Sequence, residues 1–286
     1  MNRDAPIDIR RTLSETPLAD QHDRTIRGEL TRATRPIPWQ EFERAKYPEA
    51  ALELAHDLFL RLAVGEYSAV ALFAQITSGL ALTQAPIDFV AAAARVSTDE
   101  IRHADYCLRM AALCAGHDVT TQIPREALSS DMPSALELPH LDFLMLKYAA
   151  VGETLAAALL TECRRRARDA VTRPLFTSIV SDEVHHARLG WYYAAHRAQQ
   201  WSQAERQQLA DRVADFVLSI ELEFWRGRDA PQEAAEAANS LGVLDSATQR
   251  RVIANVMTTE IAPGLDALGL SGSATWAMRQ RASLSA

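Results

Sequence analysis

The sequence predicts an all-α protein, and three observations support this prediction. Glycine is sparse, with 11 residues among 286, whereas alanine is abundant and several long stretches contain neither glycine nor proline. Apolar residues in these stretches recur at the three- and four-residue spacing of a helix face. No segment shows the sustained alternation of β-branched and polar residues that is typical of a strand, so no sheet is expected.

Four long helices are predicted, in two pairs. The first pair covers 48–82 and about 87–114, separated by the break TQAP at 83–86. The second pair covers about 141–169 and then a helix to about 200, with Thr172 as its N-cap and Pro174 as an early helical residue. A long irregular connection with three prolines joins the two pairs. Two hairpins with one long crossover between helices 2 and 3 are the arrangement of a four-helix bundle.

Further helices are predicted after the bundle. Ser202 is a suitable N-cap for a fifth helix, and shorter helical stretches follow near 231–240 and 246–268, before a loose tail from residue 271. We therefore divide the chain into three parts. These are an N-terminal arm at 1–47, partly disordered or packed on the bundle, the bundle at 48–200, and a C-terminal helical extension at 201–286 packed on the same domain.

Composition excludes several classes of protein. A net charge of −7 argues against non-specific nucleic-acid binding, which needs clustered positive charge. The three cysteines are too few and too irregularly spaced for a disulfide framework or a thiolate zinc site. There is neither an apolar signal segment at the start nor a charge-free apolar run of about 18 residues, so we expect a cytoplasmic protein with no membrane partner.

A repeated motif is the most informative feature of the chain. AVGE at 63–66 is followed by DEIRHA at 99–104, and a second AVGE at 150–153 is followed by DEVHHA at 182–187. In an antiparallel hairpin, residues equidistant from the turn lie at the same height. The midpoints of the two Glu pairs, residues 83 and 168, lie at or close to the predicted breaks, so each hairpin places a single Glu level with a Glu-x-x-His pair.

The two Glu-x-x-His pairs each present both side chains on one helix face. Glu100 projects with His103, and Glu183 projects with His186, because residues three apart are neighbours on a helix. The single glutamates lie on apolar stripes that we expect to face the core. The stripes include Phe59, Leu62 and Phe73 around Glu66, and Ala149, Ala150 and Ala157 around Glu153.

Four carboxylates that converge in a core require neutralisation. A buried unpaired charge costs several kcal/mol, and like charges at one level repel each other. Two divalent metal ions, with two imidazoles as further ligands, would neutralise such a cluster. The repeated motif therefore predicts a buried site for two metal ions.

The ligand order Glu, Glu-x-x-His, Glu, Glu-x-x-His resembles that of the ferritin-like di-metal carboxylate proteins. The resemblance covers roughly 48–200 and implies a ferritin-like four-helix bundle with two iron ions, or a manganese–iron pair as in some members. It also implies O₂ as co-substrate and an external electron donor such as a reductase or a ferredoxin. The ligands that it implies in this chain are Glu66, Glu100, His103, Glu153, Glu183 and His186.

Two aspartates match residues that support the metal-bound histidines in many oxygen-activating members of this family. Asp99 and Asp182 each precede a motif Glu. A carboxylate can accept the proton of the histidine nitrogen that does not bind metal, which fixes the tautomer and orientation of the ring. Our hypothesis is that Asp99 serves His186 and that Asp182 serves His103, across the bundle.

Other residues near the motifs have simpler interpretations. Glu53–His56 lies too far along its helix to share the site, and Glu137–His140 lies in the crossover, where His140 could line an entrance. Tyr106 could be a radical or hydrogen-bond partner of the metals, although a buried structural tyrosine is the commoner case. His185 points about 100° away from His186 and is interpreted as a supporting or surface residue.

The function predicted from these residues is oxidation or hydroxylation of a small organic substrate with O₂. Alanines around Glu153 leave more space than the phenylalanines around Glu66, so a substrate cavity is expected nearer the third helix. The residues suggested for this pocket are Phe59, Leu62, Phe73, Ala149, Ala150 and Ala157. Arylamine N-oxygenases of this fold carry an additional His at the position of Ile179, which counts against a close match to them. The alternatives are a ferroxidase that handles iron itself and a non-catalytic protein stabilised by metal, and the chain could act as a homodimer.

Overall fold

The computed structural model describes residues 7–10, 36–123, 138–224 and 229–284, and these ranges contain eight helices and one pair of strands. The bundle helices are α1 (Glu49–Leu82), α2 (Ile87–Ala115), α3 (Leu138–Arg166) and α4 (Thr172–Ala198). They are followed by α5 (Gln203–Phe224), α6 (Ala235–Ser240), α7 (246–267) and α8 (Gly272–Leu284). The all-α class is confirmed for the described residues.

The long helices form two antiparallel pairs, α1 with α2 and α3 with α4. The first pair turns at Thr83–Pro86, where Gln84 adopts a positive φ of 58°. The second pair turns between Arg166 and Thr172. Both turns lie where the sequence predicts the helix breaks, so the carboxylates placed at equal heights do face each other.

Asp169, and not Thr172, caps the start of α4. Its Oδ1 accepts hydrogen bonds from the backbone N–H groups of Val171 (2.8 Å) and Thr172 (2.9 Å). Thr172 is already helical and fully buried, so its prediction as the N-cap was wrong. Ser202 does cap α5, because its Oγ accepts from the N–H of Glu205 while the Glu205 carboxylate accepts from the N–H of Ser202.

Two features of the chain ends differ from the expectation. The tail after residue 271 is helical, because Trp276 is buried in the core and its indole N–H donates to Thr258 Oγ1. The strand β1 (Ile7–Arg10) pairs antiparallel with β2 (Thr120–Ile123), although no sheet was expected. Three of the four residues at 120–123 are β-branched, and the buried Ile123 anchors this strand. Residues 1–6 and 11–35 of the arm, and 124–137 of the crossover, lie outside the described ranges.

A close approach of α3 and α4 positions the second half of the motif. The middle of α3, Met145–Gly152, is a π-helical segment, and Gly190 of α4 lies directly against its backbone. A Cβ atom at Gly190 would lie 2.2 Å from the Ala149 carbonyl carbon. Only glycine allows this contact, which brings Glu153 at the end of the π segment up to α4.

A buried polar cluster joins the same two helices further along. The carboxylate of Asp142 on α3, only 2% exposed, accepts hydrogen bonds from Tyr193 and Arg197 of α4 and from the indole N–H of Trp201. Both carboxylate oxygens have hydrogen-bond partners, so this buried network is satisfied and stabilises the contact between α3 and α4.

Two helices pass a simple test for membrane-spanning segments. By length and composition, Glu49–Leu82 and Leu138–Arg166 are long and apolar enough to cross a membrane. In the most apolar 18-residue stretch of each helix, 22% and 56% of the residues are buried. Core helices of bundles pass the same test, and these two helices carry Glu66 and Glu153. The expectation of no membrane partner therefore stays a prediction.

Candidate metal centre

The six side chains of the repeated motif meet in the middle of the two helix pairs. They form two overlapping groups, each with ligand atoms within 4.8 Å of one another. The first group is Glu66, Glu100, His103 and Glu183, and the second is Glu100, Glu153, Glu183 and His186. Glu100 and Glu183 belong to both groups, so each group has its own glutamate and histidine and shares two carboxylates with the other.

The two shared carboxylates each turn one oxygen toward each histidine. Glu100 places Oε2 3.1 Å from Nδ1 of His103 and Oε1 3.2 Å from Nδ1 of His186. Glu183 places Oε1 3.2 Å from Nδ1 of His103 and Oε2 3.6 Å from Nδ1 of His186. This is the arrangement of two carboxylates that could bridge a pair of ions, with one histidine at each ion.

The other ring nitrogen of each histidine faces an aspartate from across the bundle. Nε2 of His103 lies 3.2 Å from Asp182, and Nε2 of His186 lies 3.3 Å from Asp99. These are the two contacts that the sequence analysis proposed. With its proton on Nε2 and donated to aspartate, each neutral imidazole presents the Nδ1 lone pair to the carboxylates, as a metal ligand must.

Arg102 joins the two aspartates and was not identified from the sequence. It is 5% exposed, and its Nη2 donates both to Asp99 (2.7 Å) and to Asp182 (2.8 Å). Its position three residues after Asp99 was a signal, since such residues share a helix face. The second motif has the exposed His185 at this position, so one arginine serves both halves of the site.

We expect Arg102→Leu to weaken metal binding about 10- to 100-fold, the range typical of losing a group that supports metal ligands. The change removes the guanidinium group that joins Asp99 and Asp182. Without it, the two buried aspartates are less well fixed in position and hold the histidine rings less firmly. Binding of Mn²⁺ by calorimetry measures the effect, and Arg95→Leu is the control, because Arg95 is largely exposed and its ion pair with Asp99 is long, at 3.5 Å. Equal affinities in the two variants would contradict this role of Arg102.

Raised pKa values favour the protonated forms of four groups in the metal-free cluster. Burial opposes ionisation of His103 and His186, but hydrogen bonds to Asp182 and Asp99, and the nearby carboxylates of the shared glutamates, raise both pKa values well above their usual range. Burial and repulsion from Glu100 raise the pKa of Glu66, and burial and repulsion from Glu183 raise the pKa of Glu153. Burial acts in the same direction on Glu183, but the two histidines that lie close to its carboxylate lower its pKa overall.

Protons alone do not satisfy the polar atoms of this cluster. Both carboxylate oxygens of Glu183 and Nδ1 of His186 are buried without a hydrogen-bond partner among the described residues. Although Glu183 lies 3.2 Å and 3.6 Å from the two histidines, these contacts lack hydrogen-bond alignment. Such orphaned atoms are costly unless an ion binds them, so the donor set fits a metal site.

The remaining candidates do not belong to either ligand group. Tyr106 is buried, contacts Trp39 edge-on at a centroid distance of 5.7 Å, and its hydroxyl has no hydrogen-bond partner in the described ranges. Burial raises the pKa of Tyr106 to about 12. His185 and Glu53 are exposed, His56 contacts the carbonyl of Ala111, and Glu137 lies outside the described residues.

The residues suggested for a substrate cavity fall into two sets. Phe59, Phe73, Ala149 and Ala150 are fully buried in the core, and Leu62 packs against it. Ala157 alone of this set lines a groove of about 760 Å³ between α3, α4 and α7. The expectation of space beside the third helix therefore agrees with the position of this groove, but most of the residues named for it do not line it.

These features define an all-helical protein with buried clusters of glutamate and histidine that could hold metal ions. No protein-family model matches the chain, and no curated protein matches it. The assignment to a ferritin-like family and to a particular reaction is therefore a matter for proposal.

Proposed function

We propose that the protein is an O₂-dependent non-haem di-iron oxidase or oxygenase that oxidises or hydroxylates a small organic substrate. The observation that carries this proposal is that Glu100 and Glu183 each aim one oxygen at each of the two histidines. Carboxylates that face two directions in this way are suited to a pair of ions, and they have no evident purpose around a single ion.

The ligand set divides between the two ions. Glu66 and His103 would bind the first ion, Glu153 and His186 would bind the second, and the shared glutamates would bridge them. A donor set of four carboxylates and two imidazoles suits iron or manganese better than it suits zinc. Zinc prefers tetrahedral sites that are rich in thiolate or histidine. When bound, two ferrous ions supply electrons to O₂.

The protein around the ions has two tasks. Asp99, Asp182 and Arg102 hold the histidine rings, so that each Nδ1 stays directed at its ion. Burial of the ligands keeps bulk water away, which protects reactive oxygen species from side reactions. Glu66 is the most exposed of the four glutamates, with 12% of its side chain accessible. We therefore place the access for O₂ or iron on the α1 side.

Cellular context belongs to the same proposal. Reduction of the ions between turnovers requires electrons, for which an external reductase or ferredoxin is the simplest source. We place the protein in the cytoplasm, where such donors are present, as a monomer or homodimer.

Anaerobic loading with ferrous iron, followed by mixing with O₂, tests the proposal. We expect two irons to bind per chain, one for each ligand group, and about one O₂ to be consumed for the pair. Stopped-flow absorbance and an oxygen electrode measure the reaction, and Glu183→Gln is the control that should not react. Continued oxidation of many irons per chain, with a growing mineral absorbance, would contradict the proposal and favour a ferroxidase. Failure to bind iron would overturn it completely.

A further inference from the structure

The groove between α3, α4 and α7 lies beside the proposed metal centre. Ala157 and Ala187 line it, and each follows a ligand glutamate, Glu153 or Glu183, by four residues. Residues four apart on a helix lie on one face, about 6 Å along the axis. None of the six motif residues lines the groove, but two of its lining residues thus lie about one helical turn from Glu153 and Glu183. Its volume of about 760 Å³ is that of a small-molecule site.

The groove has an apolar wall and an excess of guanidinium groups. Ala157, Ala158, Trp191 and Val256 form part of the apolar lining. Three arginines line the groove, Arg165, Arg188 and Arg251, against two glutamates, Glu162 and Glu260. On a chain with a net charge of −7, this is a local surplus of positive charge.

The surplus is available to a ligand. Glu162 is already paired, because it accepts from Arg165 at 2.6 Å and from Arg166 at 2.9 Å. By contrast, Arg188 and Arg251 form no ion pair with any residue in the described part of the chain. Arg251 donates a long hydrogen bond of 3.4 Å to Thr248. Guanidinium groups without a carboxylate partner are suited to bind one from outside, in a bidentate geometry.

We propose that this groove binds the substrate of the metal centre and that the substrate is an amphipathic monocarboxylic acid. Its carboxylate would contact Arg251 and Arg188, and its apolar part would lie over Ala157 and Ala187 toward the ligands of the second ion. This inference rests on the proposed function, since the groove is assigned to the substrate of that site.

Binding of decanoate to the metal-free protein tests the inference without any reaction. Calorimetric titrations compare decanoate with decanol and decylamine, which have the same chain and a neutral or cationic head. We expect decanoate to bind best, and Arg251→Ala and Arg188→Ala each to weaken it about tenfold, as for loss of one charged hydrogen bond. Arg173→Ala is the matched control, because Arg173 is an exposed arginine of α4 outside the groove.

Several results would overturn the inference. These are equal binding of the three decyl compounds, unchanged decanoate affinity in both arginine variants, or no decanoate binding at all.

Ala157→Leu provides a second test, because the larger side chain fills part of the groove. It should weaken decanoate binding while both metal ions still bind. Iron content and O₂ consumption of the same samples separate the two proposals. Arginine-dependent decanoate binding without O₂ consumption would contradict the proposed function alone, whereas O₂ consumption without decanoate binding would contradict only the substrate class.

Discussion

Glu183→Gln should abolish binding of both metal ions, whereas Glu66→Gln and Glu153→Gln should each remove only one. The reason is the position of Glu183 in both ligand groups, with one oxygen directed at each histidine. Glutamine retains one acceptor oxygen, and its amide nitrogen cannot bind a cation. A bridging position therefore loses a ligand to one ion outright and weakens the ligand to the other.

The expected loss of metal affinity can be estimated from the loss of groups that only support a ligand. Loss of a group that only supports a ligand typically costs 10- to 100-fold in metal affinity, so loss of a bridging ligand should cost at least about 100-fold for each ion. Glu66→Gln leaves the second group complete, with Glu100, Glu153, Glu183 and His186 unchanged. Glu153→Gln leaves the first group complete in the same way.

Metal content and calorimetric stoichiometry with Mn²⁺ measure this prediction. The matched control is Glu53→Gln, because Glu53 lies on the same helix as Glu66 but is exposed. It should bind as the unchanged protein does, and thermal unfolding checks that all variants fold. If Glu183→Gln and Glu66→Gln lost the same number of ions, the shared position of Glu183 would be refuted.

The geometry of the site could be predicted from the sequence because it depends on helix periodicity and on two turns. Once each hairpin turns near residues 83 and 168, the heights of Glu66 and Glu153 follow from their distance to the turn. The crossed contacts of Asp99 and Asp182 follow from the same symmetry, since each aspartate precedes a ligand on its own helix and contacts the histidine of the opposite pair.

Features that depend on one residue, or on contacts distant in sequence, could not be predicted in this way. Arg102 breaks the symmetry of the repeat, and only its tertiary position shows that it reaches Asp182. The π-helical segment at Met145–Gly152 depends on the packing of Gly190 against it, which no local pattern specifies. The last helix depends on burial of Trp276 against residues that precede it by some 20 positions.

The groove illustrates the same limit for function. The small residues of α3 predicted space near Glu153, and Ala157 does line the groove. Its other walls come from α4 and α7, and α7 lies outside the part of the chain that carries the motif. The presence of Arg251 in the same groove as Ala157 is therefore a result of tertiary packing, and the substrate class proposed from it could not be reached from the motif.

The metal-free protein should lose stability as the pH rises above about 6.5, and metal binding should remove this loss. His103 and His186 have raised pKa values in the folded state, so their contribution is complete below the usual histidine pKa of 6.5 and is lost as the pH rises through the raised values. Glu66 and Glu153 act in the same direction, because their raised pKa values keep protons that the unfolded chain releases above about 4.5. For each proton that the folded state retains and the unfolded chain has released, the free energy of unfolding falls by about 1.4 kcal/mol per unit of rising pH.

Two divalent ions can replace these four protons without changing the charge of the cluster. Metal binding should therefore release protons from these groups, and affinity should rise with pH. Thermal unfolding from pH 6 to 8.5, with Mn²⁺ or with a chelator, measures the first effect, and calorimetry in two buffers of different ionisation enthalpy measures the second. Glu53→Gln should follow the unchanged protein in both, because Glu53 is exposed and lies away from the cluster. Ion binding without proton release would mean that the cluster is not neutralised by protons, and that its buried carboxylates are balanced in another way.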